Sequence, residues 1–166
     1  MRKGGPMTLV KNEYQAYYAE RHQRSLEFQD FVMKQLALHG IFISFYCSQK
    51  YQYEEGESLA GIEIKFDDMF SKTGNLYIEY EEKSHPNNKN YVPSGIERKD
   101  NSWLWVQGNY EVLYIFAKKD LKRYKTELKV RHIVTPTSKG YLLPAFMSDE
   151  YAAHIIRVNK KDSCKH

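Results

Sequence analysis

Residues 61–84, GIEIKFDDMFSKTGNLYIEYEEKS, constrain the fold more than any other stretch of the chain. In the first half Ile62, Ile64 and Phe66 alternate with Glu63, Lys65 and Asp67. In the second, Leu76, Ile78 and Tyr80 alternate with Tyr77, Glu79, Glu81 and Lys83. Successive side chains of a strand point to opposite faces, so each run has one apolar face and one charged face. Acidic residues are poor strand formers, so the charge here needs an explanation beyond propensity. With Thr73-Gly74-Asn75 as the turn, the spacing predicts a hairpin that gathers the odd-numbered charges on one surface.

Two registers keep the faces consistent. In one, Asp67 faces Glu79, Lys65 faces Glu81 and Glu63 faces Lys83. In the other, Lys65 faces Glu79, Glu63 faces Glu81 and Asp67 faces Tyr77. Opposite charges across a ladder contribute about 0.2–1 kcal/mol, and like charges cost a similar amount. A solvated ladder has no use for Asp67 against Glu79. A divalent cation would reverse the sign of that rung, because carboxylate oxygens are natural ligands of magnesium. The competing reading is a solvent-facing hairpin whose charges serve solubility and register.

The rest of the chain reads as one domain over 1–166 with a mixed α/β or α+β layer fold, a central mixed sheet flanked by helices. Residues 12–39 have helical periodicity through Phe28, Phe31, Val32 and Leu36, with a break expected near Arg24-Ser25 and a stop at Gly40. Ile41–Ser48 reads as a buried strand and residues 49–60 as a polar connection. Residues 84–101 are loop-rich, with Ser94 placed to cap a helical turn. Trp103–Val106 and Glu111–Ala117 read as strands joined at Gly108-Asn109. Lys118–Lys129 is a basic helix candidate and Gly140–Met147 a short strand. Ser148 opens an expected last helix with Tyr151, Ala152, Ile155 and Ile156 on its apolar side. Trp103 and Trp105 share a face, which points to packing before base stacking.

The order helix, strand, strand, strand, with acids on the second and third strands, resembles the restriction-endonuclease-like, PD-(D/E)XK nuclease superfamily. The matching residues are Asp67, the run Glu79-Tyr80-Glu81, and Glu27 on the helix. The resemblance implies a nuclease core over about residues 20–117, followed by a C-terminal α/β extension at 118–160. The chain departs from the family pattern in three places. No proline precedes Asp67, Glu81 stands where a lysine is expected, and residues 84–101 lack a long helix. Lys83 or Lys65 would then supply the amine, and Glu63-Ile64-Lys65 is itself an acid-x-lysine.

What the resemblance implies is metal-dependent hydrolysis of phosphodiester bonds in nucleic acid, with DNA the expected substrate. Asp67 and Glu79 would hold Mg2+ or Mn2+, Glu81 would be a third ligand or proton acceptor, and Glu27 would hold a water in place. The basic run 118–132 holds seven Lys or Arg against two acids, and its Lys118, Lys119, Lys122, Arg123 and Lys125 would grip the backbone. The alternative is a non-catalytic nucleic-acid- or protein-binding module on the same scaffold. Such nucleases often cut two strands as dimers, so a homodimer is compatible with this reading.

Composition excludes other classes. The only cysteines, Cys47 and Cys164, make no disulfide framework and no zinc spacing. No apolar run approaches the roughly 18 residues of a membrane span. A cytoplasmic setting without membrane contact is the expectation.

Overall fold

The computed structural model describes residues 6–41 and 61–158. Past its first residue, the expected strand Ile41–Ser48 lies outside them, as do the connection 49–60 and both cysteines. Helix α1 runs from Pro6 to Leu38 without the expected break. It closes at Gly40, whose φ of 77° is open to glycine. There the Gly40 and Ile41 N–H groups donate to Ala37 and Leu36 carbonyls at 3.0 and 2.9 Å, satisfying orphan acceptors of the last turn.

Among the described residues the strands form two four-stranded sheets in a mixed α+β arrangement. The first holds β1 (Ile62–Phe66), β4 (Leu104–Gly108), β5 (Val112–Ala117) and β8 (His154–Arg157), in that order. β1 and β4 are parallel and the other neighbours antiparallel. The second has the order β3-β2-β7-β6, with β2 at Asn75–Glu82, β3 at Val92–Pro93, β6 at Arg131–Val134 and β7 at Ser138–Pro144. Short helices α2 (Phe70–Thr73) and α4 (Ala145–Tyr151), and the longer α3 (Lys118–Glu127), connect them.

The expected hairpin is therefore absent: β1 lies beside β4, and β2 lies between β3 and β7. The alternation is present on both strands, but their apolar faces serve different cores. Ile62 and Ile64 pack with Phe28, Val32 and Leu36 of α1 and with Val106, Leu113, Ile115 and Ile156. Leu76 and Ile78 join Trp105, Tyr114, Phe116, Leu121, Tyr141 and Leu143 in a cluster shared by the two sheets. The charged face of β1 is thus turned inward, and Glu63 is wholly buried. Thr73-Gly74-Asn75 does not make a two-strand turn. Gly74, in the left-handed region at φ 65°, closes α2 and delivers the chain to the other sheet.

Three further expectations change. Residues 154–157 form a strand where a helix was expected, because β5 offers an open edge and Ile156 fills the core beneath α1. Pro144 ends β7 and precedes α4, so that helix starts at Ala145 before Ser148. The tryptophans part company: Trp105 is 1% exposed and Trp103 is 61% exposed. The 118–160 extension contributes strands to both sheets: β7 pairs with β2 and β8 with β5.

Candidate functional site

Paired residues of parallel strands share a face, so the β1–β4 register sets Glu63 beside Trp105 and Lys65 beside Gln107. Asp67 follows directly on β1, and its N–H donates to the Gly108 carbonyl at 2.8 Å. Its Oδ2 accepts two hydrogen bonds: the Tyr77 backbone N–H at 2.8 Å and Gln107 Nε2 at 3.1 Å. Gln107 Nε2 also donates to the Tyr77 carbonyl at 2.9 Å, while its Oε1 accepts Trp105 Nε1 at 2.8 Å. Two side chains of the first sheet thus satisfy both backbone groups of Tyr77 in the second.

Glu79 reaches the same region from β2. Its Oε1 accepts Ser94 Oγ at 2.9 Å. Ser94 does not cap the turn at Gly95–Glu97 with its side chain; it serves the glutamate instead. The close approach requires Gly95, at φ 47°, because a Cβ there would fall onto the Glu79 carbonyl oxygen. The β2–β7 register shifts between Glu79 and Glu81, a bulge of the kind that re-aims side chains.

Asp67, Glu79 and Lys65 line one cavity of about 340 Å³, with Arg21 of α1, Gln107 and Trp105. Arg21 and Glu79 also line an adjoining cavity of about 1010 Å³, with Lys83 and Arg98. Burial pushes the Asp67 carboxyl above its usual range despite its hydrogen bonds. Burial raises Glu79 too, against the opposing pull of Ser94 and Lys65. Ionisation of both acids is therefore penalised in a cavity that a cation could enter.

Behind this cavity lies an ion-pair network. Glu63 Oε1 is 2.7 Å from Lys65 Nζ, and its Oε2 accepts Arg98 at 2.8 Å and Ser102 Oγ at 3.2 Å. Burial would raise Glu63, but Lys65 and Arg98 hold it below the usual range. Asp100 pairs with Arg98 at 2.7 Å and Lys118 at 2.8 Å, and also accepts Ser102. Burial opposes its ionisation, yet these donors hold it far below the usual range.

The other expected site residues lie elsewhere. Glu81 pairs with Lys139 at 2.6 Å and does not line the Asp67 cavity. Lys83 donates to the Pro86 carbonyl and covers Tyr91, so it reaches only the larger cavity. Glu27 is exposed and accepts Gln23 Nε2 at 3.0 Å, outside both cavities. From α1 it is Arg21 that lines them, a contribution the sequence reading missed because Arg21 carries no motif.

Most of the charge on the basic helix is paired. Lys118 is buried on Asp100, Lys125 is 2.5 Å from Glu97, and Arg123 pairs with Asp120 and Glu127. Lys122 lies 3.7 Å from Glu97, and Lys119 is exposed.

Among the described residues no three of His, Cys, Asp and Glu cluster as a metal cage. Magnesium seldom uses one: it keeps several waters and binds through one or two carboxylates plus substrate phosphate. Asp67 and Glu79 fit that donor set. None of the helices in the described residues is long and apolar enough to cross a membrane. No protein-family model matches the chain, and neither curated proteins nor solved structures give a significant match.

Proposed function

We propose that the chain is a metal-dependent nuclease of the kind its sequence resembles, with its site at Asp67, Glu79 and Lys65. One observation carries the reading: two acids whose ionisation burial opposes share a cavity with a lysine and an arginine. Asp67 and Glu79 would hold the ion, Mg2+ or Mn2+. When bound, it supplies charge neutralisation at the phosphate and a lowered pKa for water.

The chain's own residues account for the rest. Lys65 and Arg21 place positive charge where a scissile phosphate would sit. Glu79, raised by burial, would regain its charge from the cation it holds. Ser94 fixes its orientation. Glu63 holds Lys65 in place from behind.

The test is incubation of plasmid, linear and single-stranded DNA and of RNA with Mg2+, Mn2+ or EDTA, comparing wild type with Glu79→Gln. Cleavage that needs the ion and is lost in the folded variant is expected. Cleavage unchanged in the variant would remove the assignment. One observation favours a second reading, a binding module without chemistry: Asp67 Oδ2 is already occupied by two protein donors. That reading predicts nucleic-acid affinity indifferent to EDTA and no cleavage.

A further inference from the structure

A separate cavity of about 800 Å³ lies between the Arg98–Trp103 loop and the start of α3. Its lining includes five cationic side chains and one carboxylate, Asp100. Asp100 is spent on Arg98 and Lys118, and its side chain has no exposed surface. The charge presented to solvent is therefore set by Lys99 and Lys119, which are exposed, and by Lys122, which lies 3.7 Å from Glu97. At the rim stands Trp103, 61% exposed, although an indole contributes most when it is covered.

The position of Trp103 is firmly held. Its N–H donates to the Gly61 carbonyl at 2.9 Å, and its own carbonyl accepts the Lys118 N–H at 2.8 Å. The indole lies against Gly61, where a Cβ would stand 2.6 Å from Trp103 Cδ1. An exposed aromatic platform anchored on both sides, next to lysines, is pre-organised for a flat ligand carrying negative charge.

We propose that this cavity binds single-stranded nucleic acid, one base stacking on Trp103 with flanking phosphates on Lys99, Lys119 and Lys122. A paired base has no free face for the indole, so the platform selects an unstacked strand. Arg98 lines both this cavity and the larger one beside Glu79, so a strand bound here lies next to the proposed catalytic cleft. The inference extends the nuclease reading by naming the form of its substrate. Because binding is read in EDTA, it succeeds or fails separately from cleavage.

The experiment titrates the full chain in EDTA at low salt with a fluorescein-labelled twelve-nucleotide oligothymidylate, following anisotropy and tryptophan emission. Trp105 is buried, so quenching reports on Trp103. Binding with quenching is expected, weakened about tenfold or more in Trp103→Leu. Lys119→Glu combined with Lys122→Glu should weaken it further and lower its salt dependence. Trp103→Phe keeps an aromatic face should the leucine variant fail to fold; it should bind within a few-fold of wild type yet lose the quench. Binding without quenching, or undiminished in Trp103→Leu, would overturn the proposal. So would equal affinity for blunt duplex, for adenosine monophosphate or for a polyglutamate peptide.

Discussion

Asp67 Oδ2 receives the backbone N–H of Tyr77 at 2.8 Å, so a side chain at the end of β1 completes a hydrogen bond that a neighbouring strand would otherwise give to β2. Gln107 supplies the complementary donor to the Tyr77 carbonyl. Replacing it by leucine strands Trp105 Nε1, the Tyr77 carbonyl and one bond to Asp67 at once. Buried groups left unpaired cost about 1–3 kcal/mol each. Gln107→Leu should lose about 2–4 kcal/mol in urea unfolding, part of the loss being relieved by relaxation.

Glu79→Gln should behave in the opposite way. The amide oxygen can still accept Ser94 Oγ, and the cost of burying a charge disappears. The melting midpoint should rise by on the order of a few degrees. The increase that Mn2+ gives to the wild type should vanish, because an ion that binds only the folded state raises its midpoint. A midpoint that falls would show that the carboxylate is held by structural contacts rather than by the need for an ion.

Glu63→Ala should be among the most damaging substitutions. It leaves Lys65 and Arg98 facing one another without their shared acid. Breaking a fully buried pair costs about 3–5 kcal/mol, and because Lys65 and Arg98 are partly exposed and Arg98 keeps Asp100, the loss should fall at or below the lower end of that range. Chemical denaturation measures this directly. Lys65 should also lose its place in the cavity, so any cleavage should drop with stability already corrected for.

The acids divide into two sets with opposite pH signatures. Asp67 and Glu79 are raised in the folded state, so they add stability while protonated and lose it as pH climbs through their raised values. Glu63, Glu97 and Asp100 are lowered, so their contribution is full above the ordinary carboxylate range near ~4 and is lost as pH falls through their lowered values. Stability should peak in mildly acid solution and decline on both sides. In Glu79→Gln the decline toward neutral pH should be shallower, as thermal melts across the range would record.

Gly95→Ala tests the approach of the Ser94 turn to β2. The new methyl would meet the Glu79 carbonyl at a φ of 47° that alanine adopts with strain. A loss of about 1–3 kcal/mol is expected. Because Ser94 would be pushed from Glu79, the Mn2+ response should weaken as well.

The two charged runs were legible as strands because alternation is a local property of the chain. Their partners were not. Ile62 and Leu76 carry the same pattern, and nothing near them says that one belongs under α1 and the other between the sheets. That choice is made by distant residues: Leu104–Gly108 for β1 and Ser138–Pro144 for β2. The same reason hid β8, whose Ile155 and Ile156 fit a helical face as well as a strand. Asp67, Glu79 and Lys65 were found from their parity and do meet at one cavity, by packing of two sheets rather than by a ladder. Arg21 and Gln107 escaped notice as site residues because single polar side chains acquire meaning only from what the fold brings to them.

The strand order has a consequence for how the molecule is made. β2 and β5 each depend on a partner encoded far downstream, β7 and β8. A nascent chain that has emerged only as far as Glu127 has two residues of β3 beside β2 and an open edge on β5. The groups that tie Tyr77 to Asp67 and Gln107 are already present by then, but β2 still lacks its long partner. The sheet that carries Glu79 therefore stays unfinished until Pro144 has been synthesised.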